Sequence, residues 1–142
     1  MSKGNTWEND LLKLAFQAVA IANIADNAAA SPLTNLFVSL HTADPGEAGT
    51  QTTNECAYTS YARVAVARTS GGFTVTNNSV SPAANIDFPQ ATGGSETATH
   101  FAVGTASSGT GKLLWSGTVT PNIVIANGVT PRLTTSSAVT ED

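Results

Sequence analysis

Apolar and polar positions along this chain change their rhythm once. From Leu11 to Ala22 the residues Leu11, Leu12, Ala15, Phe16, Ala18, Val19 and Ala22 recur at the spacing of one helix face. Asn5 and Thr6 are good N-caps, and Glu8 follows Asn5 as in a capping box. Glu8 and Asp10 fall in the first turn, where the helix dipole favours acids. The pattern predicts a helix over 7–24, fraying beyond Ala20, after a flexible arm over 1–6. Its wide apolar stripe must bury against something, either the rest of the chain or a partner subunit.

Beyond Pro32 the period shortens to that of a strand. Leu36, Val38 and Leu40 alternate with Phe37, Ser39 and His41. Ala62, Val64 and Val66 alternate in the same way with Tyr61, Arg63 and Ala65. Asp44-Pro45-Gly46 stops the first run, because proline fixes φ and glycine permits φ > 0. The polar stretch from Ala43 to Ser60 reads as a long loop, of the kind that is functional or mobile in compact domains. Shorter strands are expected at Phe73–Thr76, closed by Asn77-Asn78, and at Ile86 and Phe88, ended by Pro89. Thr97–Thr105 places Phe101 and Val103 on one face and His100 and Ala102 on the other. Lys112–Thr120 places Leu113, Trp115 and Val119 together, and Pro121-Asn122 should break it. A further strand starts at Ile123 with a hairpin turn at Asn127-Gly128, and Arg132–Val139 is the last. About seven or eight short strands after one helix, without βαβ alternation, predict a mainly β chain. The expected form is a jelly-roll-like antiparallel β-sandwich with one N-terminal α-helix. It forms a single domain over 7–142, with strands over about 35–139.

Composition narrows the function. Charged residues are only 11% of the chain, less than half the common share. Threonine, serine, alanine and glycine replace them. Such a chain suits a protein that buries its surface in an assembly, or a secreted β-module, better than a cytosolic enzyme. Net charge is −4, and Arg63, Arg68, Lys112 and Arg132 are scattered, which argues against nucleic-acid binding. The one cysteine, Cys56, excludes an internal disulfide and a multi-cysteine metal site. No apolar run has the length of a membrane span, and MSKGNTWEND is unlike a signal peptide. The expectation is a soluble protein made in a reducing cytoplasm, with no membrane partner.

Candidate chemistry is sparse. GTASSGTGKL, from Gly104 to Leu113, is the nearest approach to a phosphate loop. Ala106 stands where that loop needs glycine, Leu113 stands where it needs Ser or Thr, and a strand pattern follows instead of a helix. His41 and His100 lack zinc-site spacing, and Asp44, Glu47 and Glu55 do not follow an EF-hand order. Cys56 lies in the polar loop and reads as a chance thiol, not a nucleophile. No catalytic residue, metal or cofactor is expected. Among the aromatics able to anchor an interface, Trp115 reads as core, and Trp7, beside a polar tail, as an interface candidate. Arg63, Arg68 and Pro121 could guard sheet edges against self-pairing.

The order of LFVSLHTADPGEAGT, TSYARVAVAR, NIDFPQAT, THFAVGTASSGTGKLLWSGTVT and NGVTPRL after the helix resembles a family of small tailed-bacteriophage virion proteins. Members are labelled tail fibre proteins, and others are similar to capsid decoration (cement) proteins. The resemblance spans about residues 7–135. It implies a jelly-roll β-sandwich without catalysis, located in the virion. The expected role is a cement protein on the capsid exterior, made in the host cytoplasm. It would bridge major capsid protein subunits, with neighbouring copies touching one another as a homo-oligomer. Ser2–Leu11 and Thr42–Tyr58 are the expected contact segments, with Trp7, Leu11, Asp44, Glu47, Glu55 and Tyr58 as interface residues. The alternative is a tail or tail-fibre component. A remoter one is a carbohydrate-binding β-sandwich, which would show an exposed aromatic beside an acid pair or a Ca²⁺ site.

Overall fold

Phe16 is where helix and strands meet. In the computed structural model, which describes residues 5–20 and 33–140 with side chains from Glu8 onward, Phe16 and Leu12 of helix α1 (Asn5–Gln17) are fully buried. The Phe16 ring lies 4.8 Å from Phe73, edge-on, and 4.8 Å from Trp115. Such pairs add about 0.5–1.5 kcal/mol to the area they bury. Gln17 Nε2 donates to the Phe73 carbonyl at 3.0 Å, and Asn9 Nδ2 to that of Asn77 at 2.9 Å. The apolar stripe of the helix is therefore used within the chain.

The helix is shorter than its periodicity suggests, and it starts earlier. It already includes Asn5 and Thr6, the expected caps. Ala18 turns to φ 56°, and the Val19 amide reaches back to the Lys13 carbonyl at 3.2 Å. The expected positions 21–24 and the arm over 1–4 lie outside the described residues. What ends the helix is tertiary. The Arg68 guanidinium donates to the carbonyls of Leu14 and Ala15, both left open by the helix end, and to that of Leu33. A cation there also complements the helix dipole. Arg68→Ala is expected to lower stability by about 1–3 kcal/mol, read as a lower urea midpoint at unchanged slope. Arg68→Lys should recover only part of it, because an ammonium cannot fork between carbonyls.

The strands are β1 (Asn35–His41), β2 (Val64–Ala67), β3 (Phe73–Thr76), β4 (Ser79–Pro82), β5 (Ile86–Asp87), β6 (Glu96–Gly104), β7 (Leu113–Ile125), β8 (Arg132–Leu133) and β9 (Val139–Thr140). They form a four-stranded sheet β2-β1-β6-β7, a three-stranded sheet β3-β4-β9 and a pair β5-β8. Every pairing is antiparallel, an arrangement compatible with a jelly roll. Leu36, Val38 and Leu40 of β1 and Phe101 and Val103 of β6 share one face, as the alternation predicts. They meet Phe73, Val80, Ile86 and Leu133 of the smaller sheets and Leu12 and Phe16 of α1 in one core.

Several elements differ from the pattern. β4 has little apolar content beyond Val80, yet the two-residue turn Asn77-Asn78, with Asn77 at φ 54°, folds it back on β3. β2 begins only at Val64, so Ala62 is exposed while Tyr61 and Arg63 turn inward. Pro121-Asn122 interrupts pairing, but no new neighbour follows. The ladder with β6 passes from His100↔Thr118 to Ala98↔Ile123, so residues 119–122 bulge opposite Thr99 and Ile123–Ile125 resume on the same strand. Asn127-Gly128 makes a turn, closed by Val129 N–H to Ala126, without a hairpin. The chain leaves it for β8, which pairs β5. The expected strand over 132–139 is two separate pieces. Of the expected edge guards, Arg63 and Arg68 are spent on internal bonds, and Pro121 sits in the bulge.

Candidate functional site

The face of the large sheet turned away from the core carries Phe37, Ser39 and His41 of β1, with Ala102 and His100 opposite on β6. Ser39, His41 and Ala102 are wholly inaccessible, although no helix or sheet among the described residues covers them. The stretch that covers them is the polar segment after β1, which is ordered by its own side chains. Asp44 Oδ1 accepts the Gly46 amide, Asn54 Nδ2 donates to the Asp44 carbonyl, and the Thr42 amide donates to the Asn54 carbonyl at 2.8 Å. The segment then returns beside β1, where the Cys56 amide donates to the Leu40 carbonyl at 2.9 Å.

Gln51 is the peg of this cover. Its side chain is fully buried, with Nε2 donating to the Phe37 carbonyl at 3.2 Å and Oε1 accepting the Ala106 amide at 3.0 Å. Its own amide donates to the Gly111 carbonyl. Two glycines make room for it. A Cβ at Gly104 would stand 2.1 Å from Gln51 Cδ, and one at Gly111 would stand 2.0 Å from Oε1. The stretch that superficially resembles a phosphate loop is thus the connection between β6 and β7, and its glycines receive a glutamine.

A second fastening lies beside it. Glu55 takes Arg63 in a two-pronged ion pair, Nε to Oε1 at 2.6 Å and a terminal nitrogen to Oε2 at 2.7 Å, and also accepts the Tyr61 hydroxyl. Arg63 uses two further donors on the carbonyls of Ala106 and Gly109. The carboxylate beside it raises the Arg63 pKa further. Glu96 Oε1 accepts the amides of both Ala57 and Tyr58 at 2.8 Å. Tyr58 is 4% exposed, and its hydroxyl donates to the Pro89 carbonyl. Burial pushes its phenol up to about 12.

Of the residues expected at an interface, Glu55 and Tyr58 are therefore engaged inside the fold. Asp44 and Glu47 stand exposed at the tip of the covering segment. Leu11 is half-buried on α1, and Trp7 lies in the helix backbone with its side chain outside the described residues. Gln51, His41 and Glu96 carry the arrangement yet have no sequence signature. A glutamine among threonines reads as solvated loop, and only the two glycines far along the chain hint at its size.

Chemically, these groups are closed to solvent. Ser39 Oγ lies 2.9 Å from His41 Nε2, and His41 Nδ1 lies 2.8 Å from the Thr53 carbonyl. The carbonyl can only accept, so Nδ1 carries the proton and Nε2 accepts from serine. The pair has the order of a serine–base relay, but both members are inaccessible under the cover. Cys56 is also buried. Desolvation first, and nearby Glu96 second, push its thiol up to about 12. A thiol-reactive disulfide reagent at about pH 8 is expected to leave the native protein unlabelled and to react fully in denaturant. Among the described residues no group of three or more His, Cys, Asp and Glu could hold a metal ion, and no helix is long and apolar enough to cross a membrane. A groove of about 620 Å³ runs between the β7 bulge and residues 132–138. Phe101 is an aromatic in its lining, but among the described residues no Asp or Glu lines it, so its lining holds no acid pair of the sugar-cleaving kind.

A comparison with known protein families matches residues 2–140 to the family described as Podophage GP4 fiber I protein gp80. No curated protein matches the chain. The matched span takes in α1, the nine strands among the described residues and the whole of the cover with its glutamine peg, and the chain belongs to this podophage fibre family, whose members are structural proteins of the bacteriophage virion.

Proposed function

We propose that the chain is a fibre component of the podophage particle, acting through its surface and without catalysis. The observation that carries this reading is the match to a family described as a fibre protein along residues 2–140. The geometry is consistent with it. Among the described residues, every inaccessible side-chain polar atom has a hydrogen-bond partner. The polar groups thus hold the fold together instead of converging on a substrate. Contact with the particle is assigned to the exposed tip carrying Asp44 and Glu47 and to the start of the chain, with copies also touching one another. Charge reversal at Glu47 together with Asp44→Asn, which keeps the Oδ1 acceptor for the Gly46 amide, is expected to reduce incorporation into particles while leaving the melting temperature unchanged, because both side chains are exposed.

A second reading is a decoration protein that bridges major capsid protein subunits on the head exterior. The charge-poor, threonine-rich composition and the absence of a fibrous repeat favour it, since clamping a shell needs a broad complementary surface. The band intensity of this protein in purified virions, relative to the major capsid protein, separates the two. A few copies per hundred capsid subunits, lost when tails are detached, supports the fibre reading. A ratio near one-to-one, with particles that become heat-labile without the protein, supports decoration. Absence from virions overturns both.

A further inference from the structure

His41 stands at the hinge of the cover. It is the last residue of β1, fully buried, and the segment it fastens begins one residue later. Its ring is held from two sides, by Ser39 of its own strand and by the Thr53 carbonyl of the returning segment. The titratable groups around it come from each element packed against it. Glu55 of the returning segment pairs with it across an isolated bridge, Arg63 lies before β2, and His100 of β6 sits directly opposite. β7, one strand further, has no ionisable side chain between Leu113 and Ile125.

We propose that His41 is an acid-sensitive latch: the neutral ring holds the 42–56 segment down on the outer face of the large sheet, and protonation of the ring lets that segment lift. The hydrogen bonds alone would tolerate the extra proton. Ser39 Oγ, 3.5 Å from the Ala102 carbonyl, can turn to donate there and accept from a protonated Nε2. The obstacle is charge. An imidazolium at this position is cut off from water and faces the Arg63 cation and a second histidine directly across the ladder. The Thr53 carbonyl and nearby Glu55 favour the charged ring, but Glu55 is already clasped by Arg63 and the lost hydration outweighs them.

The direction of the pH dependence follows. Burial holds the ring below its ordinary value of 6.5 in the closed form, whereas in the lifted form the ring is in water. Above 6.5 both forms are neutral and the latch is fully set. As pH falls below that value the lifted form binds the proton first, so the closed form loses stability until its own lowered pKa is passed. The device would govern the exposed tip with Asp44 and Glu47 without unfolding the core, whichever partner that tip meets.

Native-state amide exchange between about pH 7.5 and about pH 5 tests it. The amides of Thr42, Gln51 and Cys56 report the cover through their bonds to Asn54, Gly111 and Leu40, and those of the β1–β6 ladder serve as internal standard. After correction for intrinsic exchange, the opening constant of the cover is expected to rise by up to about tenfold per pH unit within the window. The ladder should stay protected. His41→Gln should abolish the slope, and His100→Asn should keep its onset below 6.5 but make it level off at a higher pH, because removing a like charge lets the closed-form ring take up its proton sooner. If His41→Gln does not fold, the His41 ring followed by NMR in the unaltered protein decides: titration in step with opening supports the latch. A ring that titrates while the cover stays protected, a cover that opens only together with the ladder, or a slope indifferent to His100→Asn overturns it.

Discussion

Phe16→Ala is expected to lower the melting temperature by about 10–20 °C. The side chain is 1% exposed and fills the space between β3 and β7, touching Phe73 and Trp115. Truncating a buried phenylalanine removes about 3–5 kcal/mol through lost transfer and the cavity left behind. In a chain of this length each kcal/mol moves the midpoint by roughly 3–5 °C. Collapse of the site is limited, because its walls belong to different layers. β3 is in the three-stranded sheet, β7 is at one edge of the four-stranded sheet, and Arg68 pins the helix from a third side. A thermal melt decides the matter. A shift of only a few degrees would show that α1 is not part of the cooperative core and that its apolar stripe waits for a partner.

Gly104→Ala, a single added methyl, is expected to cost about 2–4 kcal/mol. The reason is space, not backbone conformation. The new Cβ would overlap three side-chain atoms of Gln51 within 2.5 Å. Gln51 cannot swing clear without abandoning the Phe37 carbonyl and the Ala106 amide in a site closed to water. The signature is non-additivity. Gln51→Ala alone should be costly, leaving both backbone groups unpaired, but Gly104→Ala added to it should cost less than about 1 kcal/mol. Urea unfolding of the two single variants and the double variant closes the cycle. Full additivity would mean that the glutamine is not seated where the structure has it. Gly111→Ala offers an independent repeat, with the added constraint of Ala106 Cβ at 2.8 Å.

How much of this was legible beforehand depended on whether the determining contacts were local. β1 and β3 were readable to the residue because alternation and a following turn fix them within a few positions. Trp115, read as core, is partly buried and packs against the core through Phe16. The end of α1 was not readable, because alanines favour helix and the stop comes from Arg68, more than fifty positions away in the chain. The β7 bulge was half legible: proline announced the break, but nothing local says that Ile123 returns to the same neighbour. The cover is a long loop, as its pattern predicts, but a fastened one. Its lack of apolar residues suggests a solvated loop, whereas Gln51 ties it to backbone groups of β1 and the β6–β7 connection, the His41 ring of β1 holds its Thr53 carbonyl, and Asn54 binds the Asp44 carbonyl within it. Glu55 and Tyr58 looked available to a partner because their internal ligands, Arg63 and the Pro89 carbonyl, cannot be inferred from spacing. Family membership was readable from the joint order of segments, which no single segment carried.

The two margins of the large sheet have a bearing on how copies can gather. One margin is β2, only four residues long, and the other is β7, whose run is split by the residues 119–122. An incoming strand therefore finds no more than a short flat stretch on either side before the backbone turns away. The chain has few charges to keep molecules apart, and broken margins do that work instead, by denying runaway ladder growth. Any ordered assembly of this subunit must then be written in side-chain surfaces, which can be specific about partner and angle, and not in shared backbone hydrogen bonds, which cannot.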